Sequence, residues 1–394
     1  MTSSRRSLVK AAAGFGLVAC GGGFWRAARE GVFAAGDGPA YAPWDDWRAG
    51  LNESPLALVR AAILAASPHN TQPWRFRVEP GVIELHADPQ RSLGAFDPFG
   101  RELHLGLGCA LENMLRAANL LGVAVSLELP LARLDAGAVP GPVARLTLRR
   151  AAPQADPLAE AIAERHTHRG AYDPSRQLSP EMLSGLPAQA ADLEGVKVVV
   201  FTDPEQRSAF GAEVVGATEA IIADEGMMAA SDVWFRGSQS ALQQHRDGTT
   251  LDAAGLSPWL AGLTKVLPLA SAGTSHRHWL TATREVQVRT ATAFGLVVVS
   301  DLYDRVLCLH AGRAWQRMQL WGTSRGLSMQ PLNQPLERVD RERELGVDPG
   351  TARRLAGFTG DPTLKPTFAF RAGFALQAAN PSPRRPVEWV LQQA

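Results

Sequence analysis

Cysteine is scarce in this chain, with three in 394 residues, and that scarcity excludes a small disulfide-stapled scaffold. Cys109 and Cys308 sit in apolar helical patterns, where buried free thiols are expected rather than a disulfide. Long apolar runs are also lacking. Beyond the N-terminus nothing approaches eighteen uninterrupted apolar residues, so no membrane-spanning helix is predicted there. Neither sign of charge dominates: 40 Lys and Arg stand against 39 Asp and Glu without long blocks, which leaves no basic stripe for nucleic acid. The pairs His166/His168 and His276/His278 lack the further Cys, His or carboxylate spacing of a zinc site, so no metal is expected. What is present is a globular composition, 45% hydrophobic, long enough to bury a large core in two domains or one large one.

The N-terminus is organised differently. Ser4-Arg5-Arg6-Ser7-Leu8-Val9-Lys10, followed by the apolar run from Ala11 to Ala19, resembles a twin-arginine export signal. Leu17-Val18-Ala19-Cys20-Gly21 resembles a lipobox, which would make Cys20 a lipidated first residue. Val32-Phe33-Ala34 is a competing cleavage site, and an uncleaved anchor is a third alternative. Export by this route predicts a periplasmic or membrane-anchored protein handled by the twin-arginine machinery, with a cytoplasmic location as the alternative. Because that route carries folded proteins, it directs attention to a cofactor site.

Two stretches of the chain repeat. Gly108, Ala110, Met114 and Gly122 recur 204 positions later as Gly312, Ala314, Met318 and Gly326. Each copy predicts about four turns of helix with small residues where another helix can approach, closed by a glycine. A looser correspondence sets Val123–Leu131 against Phe368–Leu376 as the strand that follows each helix. Duplication predicts tandem halves joined at these helices: 1–40 as signal and linker, 41–155 as the first half, and 156–394 as the second. Arg149–Pro157 is the expected linker, Leu158–Glu164 the opening helix of the second half, and Val196–Phe201 and Ala293–Val299 are expected strands. Residues 226–290, with Trp234, Trp259 and Trp279 scattered among Gly, Ser, Pro and His, have no counterpart and predict an insertion able to cover a site.

Three clusters carry candidate chemistry. Ser67-Pro68-His69-Asn70-Thr71-Gln72-Pro73-Trp74 is a proline-punctuated loop between a predicted helix and a predicted hairpin. On the helix, Ser54-Pro55 supplies a cap and first-turn proline, and Leu56, Val59, Ile63 and Ala66 share a face. The hairpin alternates Trp74, Phe76 and Val78, turns at Glu79-Pro80-Gly81 and returns through Val82–Leu85. Ser67, Asn70 and Gln72 offer hydroxyl and amide groups that donate and accept hydrogen bonds. The second cluster, Arg165-His166-Thr167-His168-Arg169, sets two guanidiniums around a hydroxyl, a combination suited to phosphate oxygens. In the third, Ser382-Pro383-Arg384-Arg385-Pro386, two arginines are held between prolines. Glu112, a helix carboxylate beside the repeated glycines, reads as a core ion pair or an N-cap rather than a general acid.

Taken together, the Asn-x-Gln-Pro-Trp loop, the Arg-x-Thr-x-Arg segment and the C-terminal basic pair resemble the FMN-dependent nitroreductase superfamily. The likeness is greatest to its fused, double-length Acg-type branch and runs from about Tyr41 to Leu391. The resemblance implies an α+β fold in which two tandem halves form a pseudo-dimer around antiparallel sheets and central helices, with one FMN across the halves. It assigns Arg165, Thr167, Arg169 and Arg384 or Arg385 to the phosphate, and Ser67, Asn70 and Gln72 to the flavin ring or ribityl chain. Pro331, Leu332 and Asn333, in the run Gln330–Asn333, would lie near the reactive edge. The implied activity is two-electron transfer from NAD(P)H or another donor, through FMN, to a nitroaromatic or quinone-like acceptor. The alternative is an FMN-sequestering protein whose covered flavin turns over little.

Overall fold

Alternation decides the first sheet. The computed structural model describes residues 29, 31–32, 34–47, 55–137, 140–266 and 272–392. The export motif, Cys20, Phe33 and Ser54 lie outside the described residues. After helix α1 (Leu56–Ala62), strand β1 (Trp74–Glu79) buries Trp74 and Phe76, and Gly81, at φ 75°, takes the left-handed conformation of the turn. Strand β2 (Val82–Ala87) returns antiparallel with Phe76 opposite Leu85. Helix α2 (Arg101–Leu121) then leads through Gly122, at φ 64°, to β3 (Val123–Glu128) and β4 (Ala144–Arg150). The strand order is β1-β2-β4-β3, antiparallel throughout.

The second sheet repeats this order. Strand β5 (Val196–Phe201) pairs with β8 (Ala293–Val299), β8 with β10 (Lys365–Gly373), and β10 with β9 (Ser328–Pro331). In chain order this is again first, second, fourth, third, and the long helix again falls between the second and third strands. The difference lies in the connection between the first two strands. Pro80 and Gly81 suffice in the first sheet, whereas residues 202–292 intervene in the second. Those residues hold helix α3 (Pro204–Ile222) and the short parallel pair β6 (Phe235–Arg236) and β7 (Thr249–Thr250). The interposed segment therefore begins well before position 226.

The seam between the sheets is made by α2 and the helix α4 (Arg305–Thr323). A Cβ added at Gly108 would stand 2.2 Å from the Leu309 carbonyl oxygen, and one at Gly312 would stand 2.0 Å from that of Leu105. Gly312 lies 204 positions after Gly108, and Leu309 lies 204 after Leu105, so the contact is reciprocal in the manner of a two-fold interface. Gln316 donates to Asn113 Oδ1 across the same seam at 2.8 Å. Glu112, fully buried, accepts from Arg116 (2.6 Å), Arg313 (2.9 Å) and Arg317 (2.5 Å). Burial opposes its charge, yet these guanidiniums hold its pKa below the usual carboxylate range. Cys109 and Cys308 are free and buried.

Three sequence expectations change. The opening helix of the second half is one turn, Pro157–Glu160, capped by the Asp156 side chain, and does not reach Glu164. Arg149 and Arg150, expected in the linker, end β4. The counterpart of β3 is β9, directly after α4, while Phe368–Leu376 overlaps β10, the counterpart of β4. Ser-Met-Gln-Pro is too short and too polar to announce a strand, and it forms because the Gly373–Phe370 edge of β10 supplies its hydrogen bonds.

Candidate functional site

The octet after α1 is held in an unusual backbone. Among the described residues four non-glycine positions have positive φ: His69 (45°), Asn70 (53°), Gln72 (52°) and Arg246 (54°). Asparagine tolerates this region, but histidine, glutamine and arginine take it at a cost of order 1–3 kcal/mol each. All four meet in one place, because Gln72 Nε2 donates to the Arg246 carbonyl at 2.9 Å. Asn70 Nδ2 donates to the carbonyls of Gly248 (3.1 Å) and Pro383 (3.0 Å), and the Gly248 amide donates back to the Asn70 carbonyl. Ser67 Oγ accepts from the Gln72 amide at 3.0 Å and closes the loop on itself. The octet, the interposed segment and the C-terminal tail thus form one hydrogen-bonded unit.

That unit delivers the tail's arginines to different destinations. Arg384 Nη1 donates to Asn70 Oδ1 at 2.7 Å, and its Nη2 donates to the carbonyls of Ala65 (3.2 Å) and Leu64 (3.4 Å). Arg165 reaches the same Leu64 carbonyl at 3.2 Å and the Gln319 Oε1 at 3.0 Å. Both guanidiniums are 2% exposed, and neither has a carboxylate within ion-pair distance among the described residues. Burial pulls both pKa values down, that of Arg165 to about 10 with Arg169 adding to the fall, and that of Arg384 with Arg165 adding. Arg385 points elsewhere: its amide donates to Gln72 Oε1 (2.8 Å) and its side chain to the carbonyls of Gln72 and Trp389.

Several buried polar atoms around the two guanidiniums have no hydrogen-bond partner: Nε of Arg165 and of Arg384, Tyr41 Oη, His166 Nδ1 and Gln319 Nε2. Desolvated and unpaired, each is costly, and their convergence marks the place for a polar ligand rich in acceptors. His166 is kept neutral by burial and by Arg165 and Arg384, which bring its pKa to about 3. Beside this point a cavity of about 220 Å³ is lined by Thr167, Arg169, Asp252, Ala253 and residues 376–380, among others. Arg169 Nη1 donates to the Ala253 carbonyl at 3.1 Å. Burial and Arg169 lower the pKa of His69 to about 4.

Of the residues proposed from sequence, Ser67, Asn70, Gln72, Arg165, Arg384 and Arg385 come together, and Thr167 and Arg169 border the adjoining cavity. The amides of Asn70 and Gln72 are engaged with the protein itself and hold the tail in place. Leu332 and Asn333 are not bonded to the arginine pair. Leu332 is fully buried with its amide on the Ala369 carbonyl, and Asn333, whose Oδ1 accepts from the Ala369 amide, precedes helix α5 (Gln334–Leu345). Pro331 ends β9. Sequence reading missed Tyr41, Trp44, Gln319 and Arg246, and gave His166 no role within the arginine segment. Nothing in the local sequence marks Tyr41, Trp44 or Gln319 for the site.

No family model matches the chain. Two Mycobacterium tuberculosis proteins that bear the name "Putative NAD(P)H nitroreductase" are similar to it. One, Rv3131, is 28% identical over 359 residues, 86% of this chain and 92% of that protein. The other, acg, is 39% identical over 70 residues, 18% of this chain and 21% of that protein. Solved structures also align: an FMN-dependent nitroreductase NfnB from Mycobacterium smegmatis in complex with NADPH (TM-score 0.37, 15% identity, 60% of this chain and 98% of that one). A nitroreductase with bound FMN from Desulfitobacterium hafniense aligns with TM-score 0.36 and 13% identity over 61% of this chain and 100% of that one. The chain is therefore similar over most of its length to a mycobacterial protein named for the nitroreductases.

Proposed function

We propose that the chain is an FMN-binding oxidoreductase of nitroreductase type. The observation that carries this is the buried pair Arg165 and Arg384, without carboxylates and with both Nε atoms unpaired. A phosphate dianion neutralises such a pair and accepts the free donors, which internal carbonyls and amides cannot do. Arg165 and Arg384 hold the phosphate, Thr167 and Arg169 border the cavity for the rest of the cofactor, and Ser67, Asn70, Gln72 and Arg385 fix the loop and tail. FMN, when bound, supplies two-electron oxidation and reduction at its ring. The protein binds and orients it and controls access, with NAD(P)H as donor, in keeping with the names of the relatives, and a nitroaromatic or quinone-like compound as acceptor. The division into halves at 155/156 and export through the twin-arginine signal, with Cys20 as the lipid site, belong to this reading too.

One observation favours a second reading, a protein that stores FMN with little turnover: the backbone at 246–248 is bonded directly to the octet, so the interposed segment covers the site. The absorbance spectrum of the purified protein is the first measurement. Flavin bands, lost on anaerobic addition of NADPH and restored by a nitroaromatic acceptor, support the enzyme. Flavin bands that NADPH leaves unchanged support storage. A colourless protein that takes up no added FMN overturns both.

A further inference from the structure

The residues at the start of the first half form a wall of the arginine site. The Trp44 ring lies 4.6 Å from the Arg384 guanidinium and 5.8 Å from that of Arg165, so one indole ring contacts both cations. Its Nε1 donates to the Ser382 carbonyl at 2.8 Å, and the Arg384 amide donates to the Ala40 carbonyl at 2.7 Å, which ties the segment to the tail at two points. The His166 ring meets Trp44 edge-on, with centroids 4.6 Å apart. Tyr41 sits next to these groups, 3% exposed, with an unpaired Oη. Burial raises its pKa strongly, Asp252 acts in the same direction and Arg384 opposes it, so the hydroxyl stays protonated and is a donor. Packing alone would be met better by phenylalanine, since a buried hydroxyl without a partner is a net cost. A neutral donor beside two cations adds a hydrogen bond to an anion without adding to their repulsion.

We propose that Tyr41 donates a hydrogen bond to the phosphate of bound FMN, and that Trp44 is the positioning residue that sets Arg165 and Arg384 at the spacing the phosphate requires. This rests on the flavin reading and extends it to a segment outside the three motifs. FMN and riboflavin, which differ by the phosphate alone, are the probes, and each is titrated by flavin fluorescence into the flavin-free full chain. Wild type is expected to prefer FMN. Tyr41→Phe is expected to weaken FMN by about tenfold, the size of one good hydrogen bond to an anion. Riboflavin binding should stay unchanged, and the melting temperature of the flavin-free protein unchanged or raised. Trp44→Leu should lose the preference for FMN, and Trp44→Phe should restore much of it, because both lack the indole N–H and only one retains a flat aromatic face. If Tyr41→Phe keeps wild-type FMN affinity, or weakens riboflavin equally, the phosphate contact is wrong while the flavin reading stands. If Trp44→Phe behaves like Trp44→Leu, the positioning role is wrong. Wild-type protein that binds neither flavin removes the flavin reading, and the proposal with it.

Discussion

Two groups of arginines lie close together in this molecule and are built on opposite plans. At the seam, Arg313 and Arg317 converge on Glu112, and Arg116 joins from its own helix. Burial works against the charge of Arg317, but Glu112 holds its pKa above the usual guanidinium range. At the octet, Arg165 and Arg384 are more deeply buried than any of these, and only carbonyls and amides answer them. There burial lowers both pKa values, with Arg169 adding to the fall of Arg165 and Arg165 to that of Arg384. The contrast teaches how to tell a structural arginine from a ligand-binding one. The first is neutralised by the fold, whereas the second carries a charge that the fold leaves for something else.

The comparison breaks first at Glu112. Glu112→Ala strands buried guanidiniums at the helix seam, and removing one partner of a buried ion pair typically costs 3–5 kcal/mol. Chemical denaturation should show a loss of that order, and a loss under about 1 kcal/mol would mean that water, together with Asp192, which already pairs with Arg317, satisfies the seam arginines. Arg165→Met is expected to behave in the opposite way. It removes an unpaired buried charge, so flavin-free stability should stay within about 1 kcal/mol of wild type. FMN affinity should fall ten- to a hundredfold, as charge-assisted bonds worth about 1.5–3 kcal/mol are lost. A variant that unfolds like Glu112→Ala but binds FMN normally would place Arg165 with the structural group.

How much of this was legible in the sequence follows from the range of the interactions. The hairpin β1–β2 is local and alternating, and β5 and β8 are short apolar runs, so their positions could be read directly. Strand β9 could not, since Ser328–Pro331 pairs only because β10 arrives forty residues later. The octet and Arg165–Arg169 were legible as motifs through their family resemblance. The choice between Arg384 and Arg385 was not, because neighbours in extended backbone project to opposite sides and the sequence does not say which side faces Arg165. Tyr41, Trp44 and Gln319 carry no local signal for the site. They reach it through the seam and the tail, and only the folded chain brings them together.

The smallest expected effect sharpens the comparison from the side of the acids. Near the start of α2, Asp97, Glu102, Glu337 and Asp340 surround Arg101, and all five are buried. Arg101 pairs with Asp340 at 2.7 Å, Tyr303 donates to Asp340 at 2.8 Å, and Asp97 accepts from the amides of Glu102 and Leu103. One cation does not neutralise four carboxylates. Burial, with Asp97 and Asp340 adding and Arg101 opposing, raises the Glu102 pKa to about 8, and Asp97 rises to about 6 for related reasons. Carboxyls of the unfolded chain titrate near 4, so between about pH 4 and pH 8 the folded protein holds protons that the unfolded one has released. Stability must then fall as pH rises across that window. Glu112, with its lowered pKa, has the reverse dependence and costs stability only in more acidic solution. Melting temperature is therefore expected to drop by a few degrees from pH 5.5 to pH 8. Glu102→Gln, which keeps the shape without the ionisation, should remove much of that slope and raise the melting temperature at pH 8. A flat profile, or greater stability at pH 8, would show that the cluster admits water or a cation and is no mirror of the arginine site.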